Sequence, residues 1–89
     1  MSAKRFVVRG HVQGVMFRAT AADEARRLGV RGRIWNRDDG AVEAEGAGTP
    51  EQLADFERWL RRGPPHARVE SVDAEELPGE PRYRGFTTD

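Results

Sequence analysis

Apolar residues recur along this chain with two periods, and the switches between them mark out its elements. Alternation predicts a first strand over Arg5–Arg9, with Phe6 and Val8 on one face and Val7 on the other. Gly10–Gly14 interrupts it. Phe17, Ala21, Ala25 and Leu28 then repeat at helical spacing, with Asp23, Glu24, Arg26 and Arg27 opposite, and Gly29 stops the helix. Val30–Asn36 reads as a second strand. Val30, Gly32, Ile34 and Asn36 share one face, and Arg31, Arg33 and Trp35 take the other. "RDDG" signals a hairpin with Asp39-Gly40 at its tip, and Ala41–Glu45 returns as a third strand with Val42 and Ala44 inward.

A second helix announces its own start. Thr49 is the N-cap, Pro50 suits the first helical position and Gln52 completes a capping box. Leu53, Phe56 and Leu60 form its apolar stripe, with Trp59 at the border, and Gly63-Pro64-Pro65 ends it. Arg68–Glu76 is a fourth strand. Its apolar positions Val69, Val72 and Ala74 break strict alternation, which predicts a bulge or a late start near Glu70–Ser71. "LPGEP" (77–81) reads as a loop and "RYRGFTT" (82–88) as a short final strand. The order β-α-β-β-α-β predicts an α+β, ferredoxin-like sandwich: an antiparallel sheet with two helices on one face. The outward residues Arg31, Arg33, Trp35, Glu43 and Glu45 suit an open second face.

Composition narrows the function. The 89 residues make a single domain over 1–89, and 15 basic against 15 acidic residues leave no formal net charge. A partner of the nucleic-acid backbone usually carries a basic excess. With no cysteine, disulfides, thiolate nucleophiles and cysteine-ligated metals are excluded. The first ten residues hold no apolar run of signal-peptide length and nothing approaches a membrane span, so a cytoplasmic protein is expected.

The candidate chemistry lies in "GHVQGVMFR", residues 10–18. Gly10 and Gly14 let the backbone bend where a side chain would collide. The stretch feeds a helix N-terminus, whose unpaired N–H groups and dipole favour an anion, and successive amides in such a turn form an anion nest. Arg18 adds a planar fork that matches phosphate oxygens. On the glycine spacing alone, an ordinary strand-to-helix turn followed by a solvated arginine is the commoner explanation. No Lys-Ser/Thr pair follows the second glycine, so it is not a Walker loop.

The stretch from Val8 to Arg18, "VRGHVQGVMFR", resembles the signature of the acylphosphatase family at every fixed position. "GRIWNRDDGAV", from Gly32 to Val42, resembles that family's second motif, with Asn36, Gly40, Val42 and the later Gly48 at the expected offsets. The resemblance runs from Lys4 to Phe86. It implies hydrolysis of acyl phosphates, the mixed anhydrides of carboxylic and phosphoric acids. Carried onto this chain, it makes Gly10, His11, Val12, Gln13, Gly14, Val15 and Met16 the phosphate-binding loop, Arg18 the phosphate-binding catalytic arginine, and Asn36 the residue that orients the attacking water. The second motif departs at Arg33, where an aromatic is usual, at Ile34, usually smaller, and at Trp35, usually basic. Arg33 and Trp35 lie on the outward face, away from Asn36.

The implied chemistry is self-consistent. The leaving carboxylate has a conjugate acid of pKa roughly 4, so it departs without a proton and no general acid is needed. Arginine and amides stabilise the phosphoryl charge, so no metal or cofactor is expected. The expected partners are a small acyl phosphate and the product phosphate, with no nucleic acid or membrane, and the expected state is a monomer, complete and free-standing. His11 and His66 read as solvated loop residues, and Asp38-Asp39 as turn formers. Two rival readings stand beside this one. A non-enzymatic module of the same architecture would bind a phosphorylated ligand without turnover. An RNA-binding ferredoxin-like domain would need paired aromatics on the open face, where only Trp35 stands.

Overall fold

The computed structural model describes residues 1–79 and 82–89. Seven elements follow one another: β1 (Ser2–His11), α1 (Phe17–Leu28), β2 (Arg31–Asn36), β3 (Val42–Gly48), α2 (Pro50–Arg62), β4 (Arg68–Glu76) and β5 (Phe86–Thr88). The sheet order is β4-β1-β3-β2-β5. The expected β-α-β-β-α-β sandwich is present, with its first four strands antiparallel. The departure is β5, which joins the edge parallel to β2 through Gly32↔Phe86 and makes the sheet mixed. Of the loop read over 77–81, Glu80 and Pro81 lie outside the described residues.

Both helices lie on one face, α1 over β2 and β5 and α2 over β4, β1 and β3. Phe6, Val8, Ile34, Val42 and Ala44 point up from the sheet; Phe17, Ala21, Ala25, Leu53, Phe56 and Leu60 point down from the helices; all are buried. Edge-on aromatic contacts knit the layers: Phe6–Phe56 at 5.7 Å, Phe56–Phe86 at 5.6 Å and Phe17–Trp59 at 5.7 Å. Trp59, read at the border of its stripe, is therefore core. Ala74, counted among the apolar positions of β4, is exposed on that edge strand.

Local devices match the sequence closely. Thr49 and Gln52 form the reciprocal capping box, with Gln52 N donating to Thr49 Oγ1 at 3.1 Å and Thr49 N to Gln52 Oε1 at 2.8 Å. The bulge falls at Glu70: Arg9 faces Ser71 while Gly10 faces Val69, so Glu70 has no opposite number. The hairpin is one residue larger than Asp39-Gly40 at the tip implies. Gly40 N donates to Arg37 O at 3.2 Å, which puts Asp38 and Asp39 in the centre, and Gly40 follows at φ 92°. This is the turn-plus-left-handed-residue loop, which glycine accommodates after two non-glycine turn residues.

Candidate active site

The end of β1, the start of α1 and the end of β2 meet at one edge of the sandwich. β1 runs through His11, so Gly10 and His11 are still paired, with Val69 and Arg68, and Val12–Met16 is the loop proper. Gly10 sits opposite the bulge at φ +132°, where a Cβ would stand 2.1 Å from the Arg68 carbonyl oxygen. Gly14 needs glycine for another reason. Its φ is +78° with no atom within 4 Å of a Cβ, so the demand is conformational. Met16 takes φ 64°, ψ 20° at the N-cap of α1 and provides no side-chain cap.

The N–H groups at this helix start therefore stay free of intrahelical partners, and no acidic residue occupies the first turn. Thr20 secures the Met16 carbonyl oxygen from below, with N donating at 3.1 Å and Oγ1 at 2.7 Å. Phe17, buried among the core aromatics, fixes where the helix begins and hence where Arg18 emerges. A hollow of about 280 Å³ results, lined by Val12, Gly14, Met16, Phe17, Arg18, Ala19 and Asn36. Of the residues read as the site, it brings together Val12, Gly14, Met16, Arg18 and Asn36. Gly10, His11, Gln13 and Val15 are not in its lining: His11 is exposed on β1, and Val15 packs against the core. A larger hollow of about 550 Å³, beside Arg31, Ala47, Arg82 and Tyr83, lies at the other end of β2 and shares none of these groups.

Two supports escaped the sequence reading. The Gln13 side chain turns away from the hollow, and its Nε2 donates to the carbonyl oxygens of Arg37 at 2.8 Å and Ala41 at 3.0 Å. It straps the loop to the turn that follows Asn36. Arg18 Nη1 donates to the main-chain oxygen of Asp89 at 2.7 Å, and Asp89 N donates to Ile34 O at 2.8 Å. Thus Asp89, which follows β5, delivers a positioning contact to the arginine. Nothing near Gln13 or Arg18 in sequence signals either partner; the Thr20 back-bond to its i−4 carbonyl is the one support with a local signature.

The charges around the hollow are sorted. Arg37 pairs with Asp39 at 3.0 Å and Glu43 at 3.2 Å, and Arg9 reaches Asp39 at 3.3 Å. The Ala41 N–H, ahead of these guanidiniums, holds the Asp39 carboxyl below the usual carboxylate range. Among the described residues, Arg18 forms no ion pair with an Asp or Glu side chain, and its recorded contact is the main-chain oxygen of Asp89. No group of three His, Cys, Asp or Glu that would hold a metal ion occurs among the described residues.

The open face is spent differently. Arg5 reaches Glu43, Glu45 and Glu75, and Arg33 pairs with Glu45 at 3.2 Å while lying 4.6 Å over the Trp35 ring. Tyr83 Oη donates to Glu45 at 2.6 Å. Partial burial pushes the Glu45 carboxyl up, but Tyr83, Arg33 and Arg5 together outweigh it and hold it low.

The chain is similar to proteins of one known family. The Acylphosphatase family model matches residues 4–88. The acylphosphatase of Thiobacillus denitrificans is 48% identical over 86 residues, spanning 97% of this chain and 94% of the relative. That of Anaeromyxobacter dehalogenans is 54% identical over 71 residues, 80% of this chain and 76% of the relative. The crystal structure of an acylphosphatase from Bacillus subtilis superposes with a TM-score of 0.96 at 31% identity, covering 100% of this chain and 99% of that one.

Proposed function

We propose, given that the chain belongs to the acylphosphatase family and hydrolyses acyl phosphates, that Arg18 and Asn36 carry the reaction above the Gly10–Met16 loop. The observation that carries this reading is that both side chains line one hollow at the uncapped start of α1. The phosphoryl oxygens take the free N–H groups of the loop and first helical turn. Arg18, oriented by Asp89, presents its remaining donors to the same oxygens. The Asn36 carbonyl accepts a hydrogen bond from water and aims it at phosphorus. As the P–O bond to water forms, the bond to the acyl oxygen breaks and the carboxylate leaves as an anion. The water's proton passes to a phosphoryl oxygen, since an amide is too weak a base. Charge stabilisation of this kind is what phosphoryl transfer chiefly demands.

The same reading makes the chain one domain that works as a monomer in the cytoplasm, without metal, and holds inorganic phosphate as its product. No helix among the described residues is long and apolar enough to cross a membrane. The reading as a non-enzymatic module finds no support in the relatives above. The test is turnover of acetyl phosphate in the presence of a chelator, with inorganic phosphate as inhibitor. Asn36→Ala is expected to cut kcat far more than phosphate affinity, because water matters only in the transition state. Loss of activity on chelation that Mg²⁺ restores refutes the metal-free route, and parallel loss of phosphate affinity in Asn36→Ala makes Asn36 a phosphate ligand instead.

A further inference from the structure

Met16 is out of place for a residue with only a structural duty. The residue is 72% exposed, matched among the described large apolar residues only by Met1 at 76%. Its backbone sits at φ 64°, the one non-glycine residue at positive φ among those described. Glycine or asparagine adopts that conformation at lower cost, and an exposed methionine gains nothing from burial. Strain of this kind persists at functional sites. The position is also on the hollow that holds Arg18 and Asn36.

An acyl phosphate has two ends of opposite character. Its phosphoryl end belongs with the N–H groups and Arg18, and its acyl end must pass out over the rim. The other apolar lining residues offer that end little. Val12 and Phe17 are each 1% exposed and belong to the core, and Gly14 and Ala19 have no side chain of any reach. Met16 alone among the lining residues presents a long, exposed apolar side chain there. An unbranched thioether fits against groups of varied shape, which suits contact with different acyl chains better than a rigid pocket does.

We propose that Met16 is the contact for the acyl group and sets the preference of this enzyme for bulky, apolar acyl phosphates over small ones. The proposal rests on the reading that the Gly10–Met16 loop and Arg18 hold the phosphoryl group. The quantity to measure is the ratio of kcat/KM for benzoyl phosphate to that for acetyl phosphate. Two variants keep a non-glycine residue in the left-handed conformation: Met16→Gln, similar in length but polar, and Met16→Leu, apolar. A rim contact is open to water on one side, so it is worth less than an enclosed methylene subsite, which gives tenfold or more. The ratio is expected to fall about three- to tenfold in Met16→Gln and to be kept in Met16→Leu. An unchanged ratio in Met16→Gln, or an equal fall in Met16→Leu, overturns the proposal. Arg18→Ala, assayed alongside, separates the premise from the inference: full activity on both substrates in that variant refutes the phosphoryl site itself.

Discussion

Removing the Gln13 strap should damage catalysis and stability together, although its side chain faces away from the hollow. The half-buried amide donates twice, at 2.8 Å to Arg37 O and 3.0 Å to Ala41 O. Each side-chain hydrogen bond contributes about 0.5–1.5 kcal/mol net. Both carbonyl oxygens keep a backbone partner without it, Arg37 O from Gly40 N and Ala41 O from Arg37 N. Neither is orphaned, so the loss in Gln13→Ala stays near the low end, about 1–2 kcal/mol in all. For a domain of this size that lowers Tm by roughly 4–16 °C. The kinetic effect comes from slack between the loop and the strand end that carries Asn36. Misplacement by about 1 Å can cost on the order of a hundredfold, and Thr20 still holds the far end of the loop. A fall in kcat of roughly ten- to a hundredfold is expected, within that limit. Gln13→Glu sharpens the reasoning. A carboxylate has no proton to donate and would face two carbonyl oxygens, so at pH 7 this variant should be less stable than Gln13→Ala. Protonation restores one donor, so the gap should narrow as pH falls toward 4–5, roughly the carboxylate range. Thermal midpoints across pH, with acetyl phosphate turnover, measure both. A kcat within twofold of wild type in Gln13→Ala, or Gln13→Glu as stable as Gln13→Ala at pH 7, refutes the strap.

Other consequences are as direct. Arg18→Lys should lose activity almost as badly as Arg18→Ala, roughly a hundredfold or more, because a point charge replaces a planar fork; a lysine variant that keeps most of the rate of acetyl phosphate turnover disproves the two-pronged contact. Arg33→Ala and Trp35→Ala should stay within a few-fold of wild-type turnover, about 1 kcal/mol of barrier or less, since both residues lie on the sheet face opposite Asn36; a hundredfold loss with the fold intact would place the acyl group on that face. Stability should be full above the ordinary carboxylate range and decline as pH falls through the lowered values of Glu24, Asp39 and Glu45. Burial and the bond to Glu45 raise the Tyr83 phenol, so its contribution is present below about pH 10 and lost as pH rises through the raised value; denaturant midpoints against pH in wild type and Tyr83→Phe check both limbs.

What could be read from the sequence follows the range of the forces involved. The α2 start was legible because Thr49, Pro50 and Gln52 act on one another within a single turn. The bulge was legible because one extra residue flips the parity of a strand, and Val69 with Val72 records the flip. The extent of β3 was not. Gly46, Ala47 and Gly48 are poor strand formers, yet they complete the strand. The reason is tertiary: a Cβ on Gly46 would stand 3.0 Å from Val30 and 3.4 Å from Leu53, so small residues are what lets α2 settle onto the sheet. The parallel pairing of β5 was equally hidden, because nothing within Phe86–Thr88 says which edge it will find or in which direction.

The site divides along the same line, and the division has a physical cause. Glycines at 10 and 14, a free helix start and an arginine in its first turn, the groups proposed to hold the phosphoryl end, lie on one contiguous stretch, so they are written locally. Asn36 came within reach through strand parity, a rule that survives over six residues of β2. Positioning is another matter, because a group can be held only by something that does not move with it. The loop is therefore strapped to a turn more than 20 residues away through Gln13, and Arg18 is steadied by Asp89 at a separation of 71. Such contacts leave no spacing pattern, only a polar residue whose purpose is ambiguous until the fold exists. Gln13 belongs to the loop by its place in the chain, and only the fold shows that its side-chain amide spends both donors on holding that loop to the turn after Asn36. The residues proposed to contact the phosphate and those that fix their geometry thus differ in how they are encoded, and substitutions of the second kind should move kcat while leaving the local motif intact.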